Sequence, residues 1–120
     1  MSKKYAFLLM GKDFNPQRDH ACFSAGGVDS YIITVRSPEE AVKKARELAD
    51  EGFGALEVCG AFGENLAREM YQAADRRLTV SYVVCPKDQE EASLQFWARG
   101  KHEEGGFARK GQNAFLKKDA

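Results

Sequence analysis

The sequence has no excess of charge of either sign, since 18 Lys and Arg residues balance 18 Asp and Glu residues. Nucleic-acid binders usually present a strongly basic domain, so this balance argues against a nucleic-acid partner. A long apolar segment is also missing. The longest apolar run, residues 5–10, is far shorter than the roughly 20 residues of a membrane helix, and the basic start lacks the apolar stretch of a signal peptide. We therefore expect a cytoplasmic protein with no membrane partner.

Cysteine and histidine are scarce as well. Three cysteines are an odd number in a chain without an export signal, which argues against a disulfide framework. Two histidines and the lack of a CxxC pair make a structural zinc site improbable. We expect no metal and no cofactor. The 43% hydrophobic content over 120 residues is typical of one ordinary folded domain.

Strand-like and helix-like patterns alternate along the chain. Ser37 and Pro38 predict a helix start, because Ser can cap the first amides and Pro at the first helical position loses no hydrogen bond. Glu40 completes a capping box with Ser37. Further helices are predicted from about Glu64 and from Asp88. Short runs of apolar, β-branched and aromatic residues predict strands at residues 5–10, 31–35, 55–59 and 78–85.

This order predicts an α/β fold in residues 1–99: a single domain with a mostly parallel four-stranded sheet and crossover helices. Residues 11–29 are expected to form a long connection, in which Gly26 and Gly27 supply a turn of positive φ. Such a connection also permits an antiparallel return, so a ferredoxin-like α+β sandwich is the alternative. Residues 100–120 are expected to be a tail that is mobile or docked on a partner.

In parallel sheets, ligands bind beyond the carboxyl ends of the strands. The first two predicted strands deliver cations there, and the third is followed by a glycine-containing turn into a helix. Glycines let backbone amides approach a ligand, and a helix N-terminus attracts anions. We therefore expect a small anionic ligand at this edge. Its predicted binding residues are Lys12, Arg36, Ser37, Gly60, Ala61, Phe62 and Gly63.

A second hypothesis is a small enzyme that acts on a carbonyl or acyl substrate. Cys59, beside a helix N-terminus, would be the nucleophile. Glu57, a carboxylate inside an apolar strand, or His20, in the long connection, would be the base. The structural alternatives are that Cys59 is a small core residue, that Glu57 is solvated or paired, and that His20 lies on the surface.

A third hypothesis is an oligomeric interaction module without a small-molecule site. Phe96 and Trp97 are adjacent on the last predicted helix, so a narrow apolar stripe cannot bury both. Phe62 at its turn and the C-terminal tail would complete such an interface. A homo-oligomer is therefore expected.

The chain resembles a family of small bacterial α/β proteins known only as a domain of unknown function. The resemblance rests on YAFLLMG at residues 5–11, GGVD at 26–29 and GALEVCGAFG at 54–63, and it continues through SYVV at 81–84. The tail from Gly100 lies outside it. The resemblance implies a bacterial cytosolic protein and carries no activity.

Overall fold

A computed structural model describes residues 2–98. The predicted tail, residues 100–120, lies outside the described residues. The chain divides into two units, Met1–Val84 and Cys85–Ala120. In chain order the elements are β1 (Lys3–Met10), β2 (Ala21–Ala25), β3 (Val28–Val35), α1 (Pro38–Asp50), β4 (Ala55–Val58), α2 (Gly63–Ala73), β5 (Thr79–Tyr82), a 3₁₀ turn (Lys87–Gln89) and α3 (Glu90–Ala98).

Five strands form one sheet in the order β2-β3-β1-β4-β5. Strands β1, β3, β4 and β5 are parallel, whereas β2 runs antiparallel to β3. The predicted α/β class and the mostly parallel sheet are confirmed. The prediction of four strands was wrong, because β2 lies within the segment interpreted as a connection. The parallel pairings also rule out the ferredoxin-like alternative.

β2 lacks the alternation that marks a strand with one buried face. All five of its residues are exposed, so no face of it is selected for apolar side chains. The turn that joins it to β3 does carry a signal. Gly26 and Gly27 have φ of 63° and 79°, as a two-residue hairpin turn with two left-handed positions requires. The predicted turn of positive φ is confirmed, and its consequence is a hairpin.

Helix α1 begins where the sequence predicts it. The Ser37 hydroxyl accepts a hydrogen bond from the Glu40 amide at 3.2 Å, and Pro38 is the first helical residue. The Glu40 carboxylate reaches one residue further back than in a standard capping box. It accepts from the Arg36 amide at 2.8 Å and from the Arg36 guanidinium at 2.7 Å. These hydrogen bonds among Arg36, Ser37 and Glu40 connect the end of strand β3 to the first turn of helix α1.

The core lies between the sheet and the two helices of the first unit. Helices α1 and α2 pack against each other, so they share one face of the sheet. Alternate strand residues point into this layer, with Leu8 of β1 beside Val58 of β4. Other members of the buried set are Ala6, Val35, Ala41, Ala45, Leu48, Phe53, Leu56, Phe62, Ala67, Met70, Ala74 and Leu78.

The second unit is described from Cys85 to Ala98. Helix α3 starts close to the predicted site, after a 3₁₀ turn that contains Asp88. None of its residues is buried, and the rings of Phe96 and Trp97 meet edge to face at 4.8 Å. Strand β5 ends at Tyr82, which is earlier than the predicted end at Cys85.

Candidate functional site

The carboxyl ends of β1, β3, β4 and β5 meet at one edge of the sheet because these strands are parallel. Two backbone hydrogen bonds extend the pairing past the strands. The Gly11 amide donates to the Val35 carbonyl at 3.1 Å, and the Cys59 amide donates to the Leu8 carbonyl at 3.0 Å. The segments that begin with Lys12, Arg36 and Cys59 therefore leave the sheet at the same edge.

A pocket of about 400 Å³ lies at the carboxyl end of β3, between residues 11–20 and helix α1. Residues 11–20 run from β1 to the outer strand β2 and so pass the end of β3. The buried Thr34 hydroxyl fixes this crossing by donating to the Asp19 carbonyl at 2.8 Å. The pocket is lined by Pro16, Gln17, Thr34, Val35, Arg36, Glu40, Lys43, Lys44 and Glu47.

Local hydrogen bonds hold the crossing segment in shape. The Asp19 carboxylate accepts from the Asn15 amide at 2.8 Å and from the Arg18 guanidinium at 2.8 Å. The Asn15 side chain in turn accepts from the Gln17 amide at 3.0 Å. The bonds from Arg18 and Asn15 lower the pKa of Asp19 to about 2. Gln17 is thereby held at the pocket by its own backbone.

Most charges of the lining are already paired. Arg36 and Glu40 form an ion pair at 2.7 Å, and Lys44 and Glu47 form one at 3.1 Å. Hydrogen bonding to Arg36 lowers the pKa of Glu40 and raises that of Arg36. Lys43 has no ion-pair partner among residues 2–98. The lining therefore holds three cations and two carboxylates, a net charge of +1.

The binding residues predicted from the sequence do not all line this pocket. Arg36 lines the pocket, whereas Lys12 pairs with Asp13 at 3.6 Å and lies outside the lining. The Ser37 hydroxyl serves as the helix cap. The pocket residues that sequence reasoning missed include Gln17, Lys43 and Lys44. In the sequence, the two lysines belong to the polar face of an amphipathic helix, and no spacing rule shows that this face meets residues 11–20.

The glycine-containing turn before α2, residues 59–63, is held by a backbone hydrogen bond of its own and by a buried side chain. The Phe62 amide donates to the Cys59 carbonyl at 3.0 Å, and the Phe62 side chain is buried in the core. Gly63 adopts a φ of 78°, a left-handed conformation that allows the helix to start immediately after the tight turn. Gly60 and Ala61 are exposed, and no side chain caps α2. This turn anchors the helix through Phe62.

The three predicted catalytic side chains do not converge. Glu57 accepts a hydrogen bond from the Tyr5 hydroxyl at 2.6 Å. Burial, with a smaller contribution from Glu57, raises the pKa of Tyr5 to about 12. Cys59 is half-buried and packs on the core.

His20 precedes β2, and Cys59 follows β4, so three strand spacings of about 4.8 Å, roughly 14 Å in all, separate the two positions across the sheet. The His20 ring contacts the Gln17 carbonyl at 3.0 Å instead. A Cys–His pair is therefore not formed.

A comparison with protein-family models identifies the family of the chain. Residues 3–98 match the model of the family of unknown function DUF6506. The chain belongs to this family. The DUF6506 match contains the whole sheet and every pocket residue, so both are parts of the family domain. Comparisons of this DUF6506 chain with the curated proteins and with the solved structures found no match.

Over residues 2–98, this DUF6506 chain has no helix with the length and apolar character to cross a membrane. Within the same residues, no group of three His, Cys, Asp or Glu side chains is arranged to hold a metal ion.

Proposed function

We propose that this DUF6506 chain is a binding module for a small anionic ligand, held in the pocket between residues 11–20 and helix α1. The observation that carries the proposal is the state of Lys43. It lines the pocket without an ion pair among residues 2–98, whereas the other two cations of the lining are each bound to a carboxylate. A ligand carboxylate or phosphate would supply the missing counter-charge.

The other lining residues suit the same ligand class. The Gln17 side-chain amide makes no hydrogen bond within residues 2–98, so its donor and acceptor are available to a polar group of the ligand. Arg36 is held by Glu40 and shapes one wall. A volume of about 400 Å³ falls within the range of small-molecule pockets, about 300–1,000 Å³. The net charge of +1 favours one anionic group over a polyanion.

The thiol-enzyme hypothesis has less support than the binding module. Its nucleophile, Cys59, does not line the pocket, and its two candidate bases are engaged elsewhere, Glu57 by Tyr5 and His20 by Gln17. Nucleophilic catalysis needs a base within hydrogen-bond reach of the nucleophile. The pocket needs no such convergence, because binding requires only complementary charge and shape.

The test is calorimetric titration of the full chain with inorganic phosphate and with succinate at constant ionic strength. Lys43→Gln is expected to weaken binding of the preferred anion at least about tenfold, which corresponds to about 1.4 kcal/mol. Lys3→Gln is the matched control, because it removes the same charge at the opposite end of β1. The two anions distinguish a phosphate ligand from a carboxylate ligand.

Two outcomes would contradict the proposal. One is that neither anion binds the wild-type chain. The other is that Lys43→Gln and Lys3→Gln bind with equal affinity, since binding would then follow overall charge and not the pocket. Cys59→Ser is expected to bind like the wild type, and a loss of binding in that variant would favour the thiol hypothesis.

A further inference from the structure

Strand β2 has an outer edge with which no other strand of residues 2–98 pairs. It is the terminal strand of the sheet and pairs only with β3 within residues 2–98. Its sequence, Ala-Cys-Phe-Ser-Ala, has no charged residue and no proline, and Phe23 is 61% exposed. Soluble proteins usually blunt such an edge with lysine, proline or a bulge, because the unpaired backbone can add another strand.

The hydrogen bonds around β3 show which backbone groups of β2 face outward. The carbonyls of Gly27 and Val35 accept from the Lys3 amide at 2.9 Å and the Gly11 amide at 3.1 Å, on the β1 side. Odd-numbered residues of β3 therefore direct their backbone groups to β1, and even-numbered ones direct theirs to β2.

The partners of these even-numbered residues include Phe23, opposite Ser30. The backbone N–H and C=O groups of Phe23 therefore point to β3 and take part in the pairing with that strand. Its neighbours Cys22 and Ser24, which lie opposite odd-numbered residues, direct theirs away from the sheet. The outer edge consequently offers two donor–acceptor sites, one on each side of Phe23.

We propose that β2 pairs antiparallel with β2 of a second copy of this chain, about a two-fold axis at Phe23. In that register Cys22 lies opposite the partner's Ser24, and each such pair exchanges both N–H···O bonds. Phe23 lies opposite the partner's Phe23 in the closer type of pair, with Cα atoms about 4.5 Å apart. The two five-stranded sheets become one continuous sheet.

The sequence of β2 favours a second copy of this chain as the partner that pairs with its outer edge. Read outward from Phe23, the strand is nearly the same in both directions, with Ala at both ends and the similarly sized Cys and Ser between. An isologous contact requires this self-complementarity, because each residue must suit its symmetry mate. The absence of charged side chains also means that no like charges oppose each other across the axis.

The first test is sedimentation equilibrium of the full chain, which is expected to give twice the chain mass. Ser24→Pro removes an outward N–H, and proline is tolerated on an edge strand whose N–H faces solvent. This variant is expected to sediment at the mass of one chain. Ser24→Ala, the matched control, removes only the hydroxyl bond to Asp29 and is expected to remain a dimer.

Phe23→Lys places a charge at the axis and is expected to shift the mass to one chain as well, with the far-ultraviolet circular dichroism of the wild type in both variants. A wild-type chain that sediments at one chain mass at all concentrations would overturn the proposal. So would a folded Ser24→Pro variant that stays dimeric, because another surface would then form the dimer.

A thiol placed by Ser24→Cys tests the register. Its Cα would lie about 5.5 Å from that of the partner's Cys22, within the range that a disulfide spans. Diamide, which takes up the two hydrogens of the thiols, is expected to convert this variant into a covalent dimer. Ser81→Cys on the other edge strand, β5, is the control and should stay a single chain. Equal cross-linking of both variants would contradict the register.

Discussion

Strands β4 and β2 belong to the same sheet but have opposite surroundings. In β4, Leu56 and Val58 have no solvent exposure, because α1 and α2 cover that part of the sheet. In β2, every residue is exposed. The difference follows from the connections, since β4 is entered and left through helices, whereas β2 is entered by a segment of turns and left by a tight hairpin turn. A helical crossover packs its helix on a face of the sheet, whereas a hairpin turn adds no layer to the sheet.

The half of the sheet formed by β2 and β3, here called the bare half, is also where the candidate functions lie, with helix α1 supplying one wall of the pocket. The pocket is formed where residues 11–20 pass the end of β3, and the proposed pairing edge is β2 itself. The covered half holds most of the buried apolar surface, which supplies most of the stability. Apart from Val35, which belongs to the core and also lines the pocket, the surfaces proposed to bind other molecules therefore lie outside the core that keeps the chain folded, and this division can be tested.

The largest expected effect is in the covered half. Leu56→Ala removes a fully buried side chain and is expected to lower the free energy of unfolding by about 3 kcal/mol, as measured by urea denaturation. Phe23→Ala, measured at high dilution, is the comparison and should change it by less than about 0.5 kcal/mol, because its ring is mostly exposed. Equal effects would mean that the two halves do not differ in stability.

A smaller effect is expected at the hairpin of the bare half. Gly26→Ala places a side chain at a φ of 63° and should cost about 1–2 kcal/mol of unfolding free energy. Gly54→Ala, before β4, is the control. Gly54 is not left-handed and has open space where a Cβ would stand, so that change should be neutral or slightly stabilising. A neutral Gly26→Ala would show that the turn is not held in its positive-φ form.

Helix α1, which packs against α2 and β3, depends on its cap. Ser37→Ala removes the acceptor for the Glu40 amide and is expected to lower the unfolding free energy by about 1 kcal/mol in a thermal or urea melt. Ser81→Ala, at an exposed position of β5, should change it by less than about 0.5 kcal/mol. If both variants melt like the wild type, the cap does not contribute to the stability of the covered half.

The smallest effect is expected in the stability of the chain in acid, which depends on Asp19 in the segment that borders the pocket. The pKa of Asp19 is about 2 in the folded chain, below its ordinary value of 3.8. Its contribution to stability is therefore complete above about pH 4 and is lost as the pH falls through 2. Asp19→Asn should show a shallower loss of stability than the wild type over this window. Identical acid titrations of the two chains would mean that the Asp19 contacts do not stabilise the fold.

Several elements could be predicted because their signals are local. The start of α1 depends on Ser37 and Pro38, which act within one helical turn. Strands β1, β3 and β4 contain short apolar runs because the helix layer buries alternate residues and these strands have few exposed positions. β2 could not be predicted in this way, since an exposed edge strand imposes no apolar pattern, although Gly26 and Gly27 are a hairpin signal in themselves.

The candidate site was predictable only in part. The topological rule placed Arg36 at a ligand-binding edge, and it does line the pocket. The rule could not exclude Phe62, because burial of an aromatic ring at a turn depends on the core beneath it. It also could not find Gln17 or Lys43, which are far apart in sequence and lie together only because residues 11–20 cross the sheet.

The sequence by itself determined the alternating order of strands and helices, the capped start of α1 and the positive-φ turn at Gly26 and Gly27, because each follows from a pattern of residues close in the chain. Only the tertiary structure decided the parallel pairing of the strands, the position of β2, the crossing of residues 11–20 over the end of β3 and which cation of the pocket, Lys43, has no ion-pair partner within residues 2–98. These depend on long-range pairing, in which a side chain's partner is set by the path of the backbone and not by its neighbours in sequence.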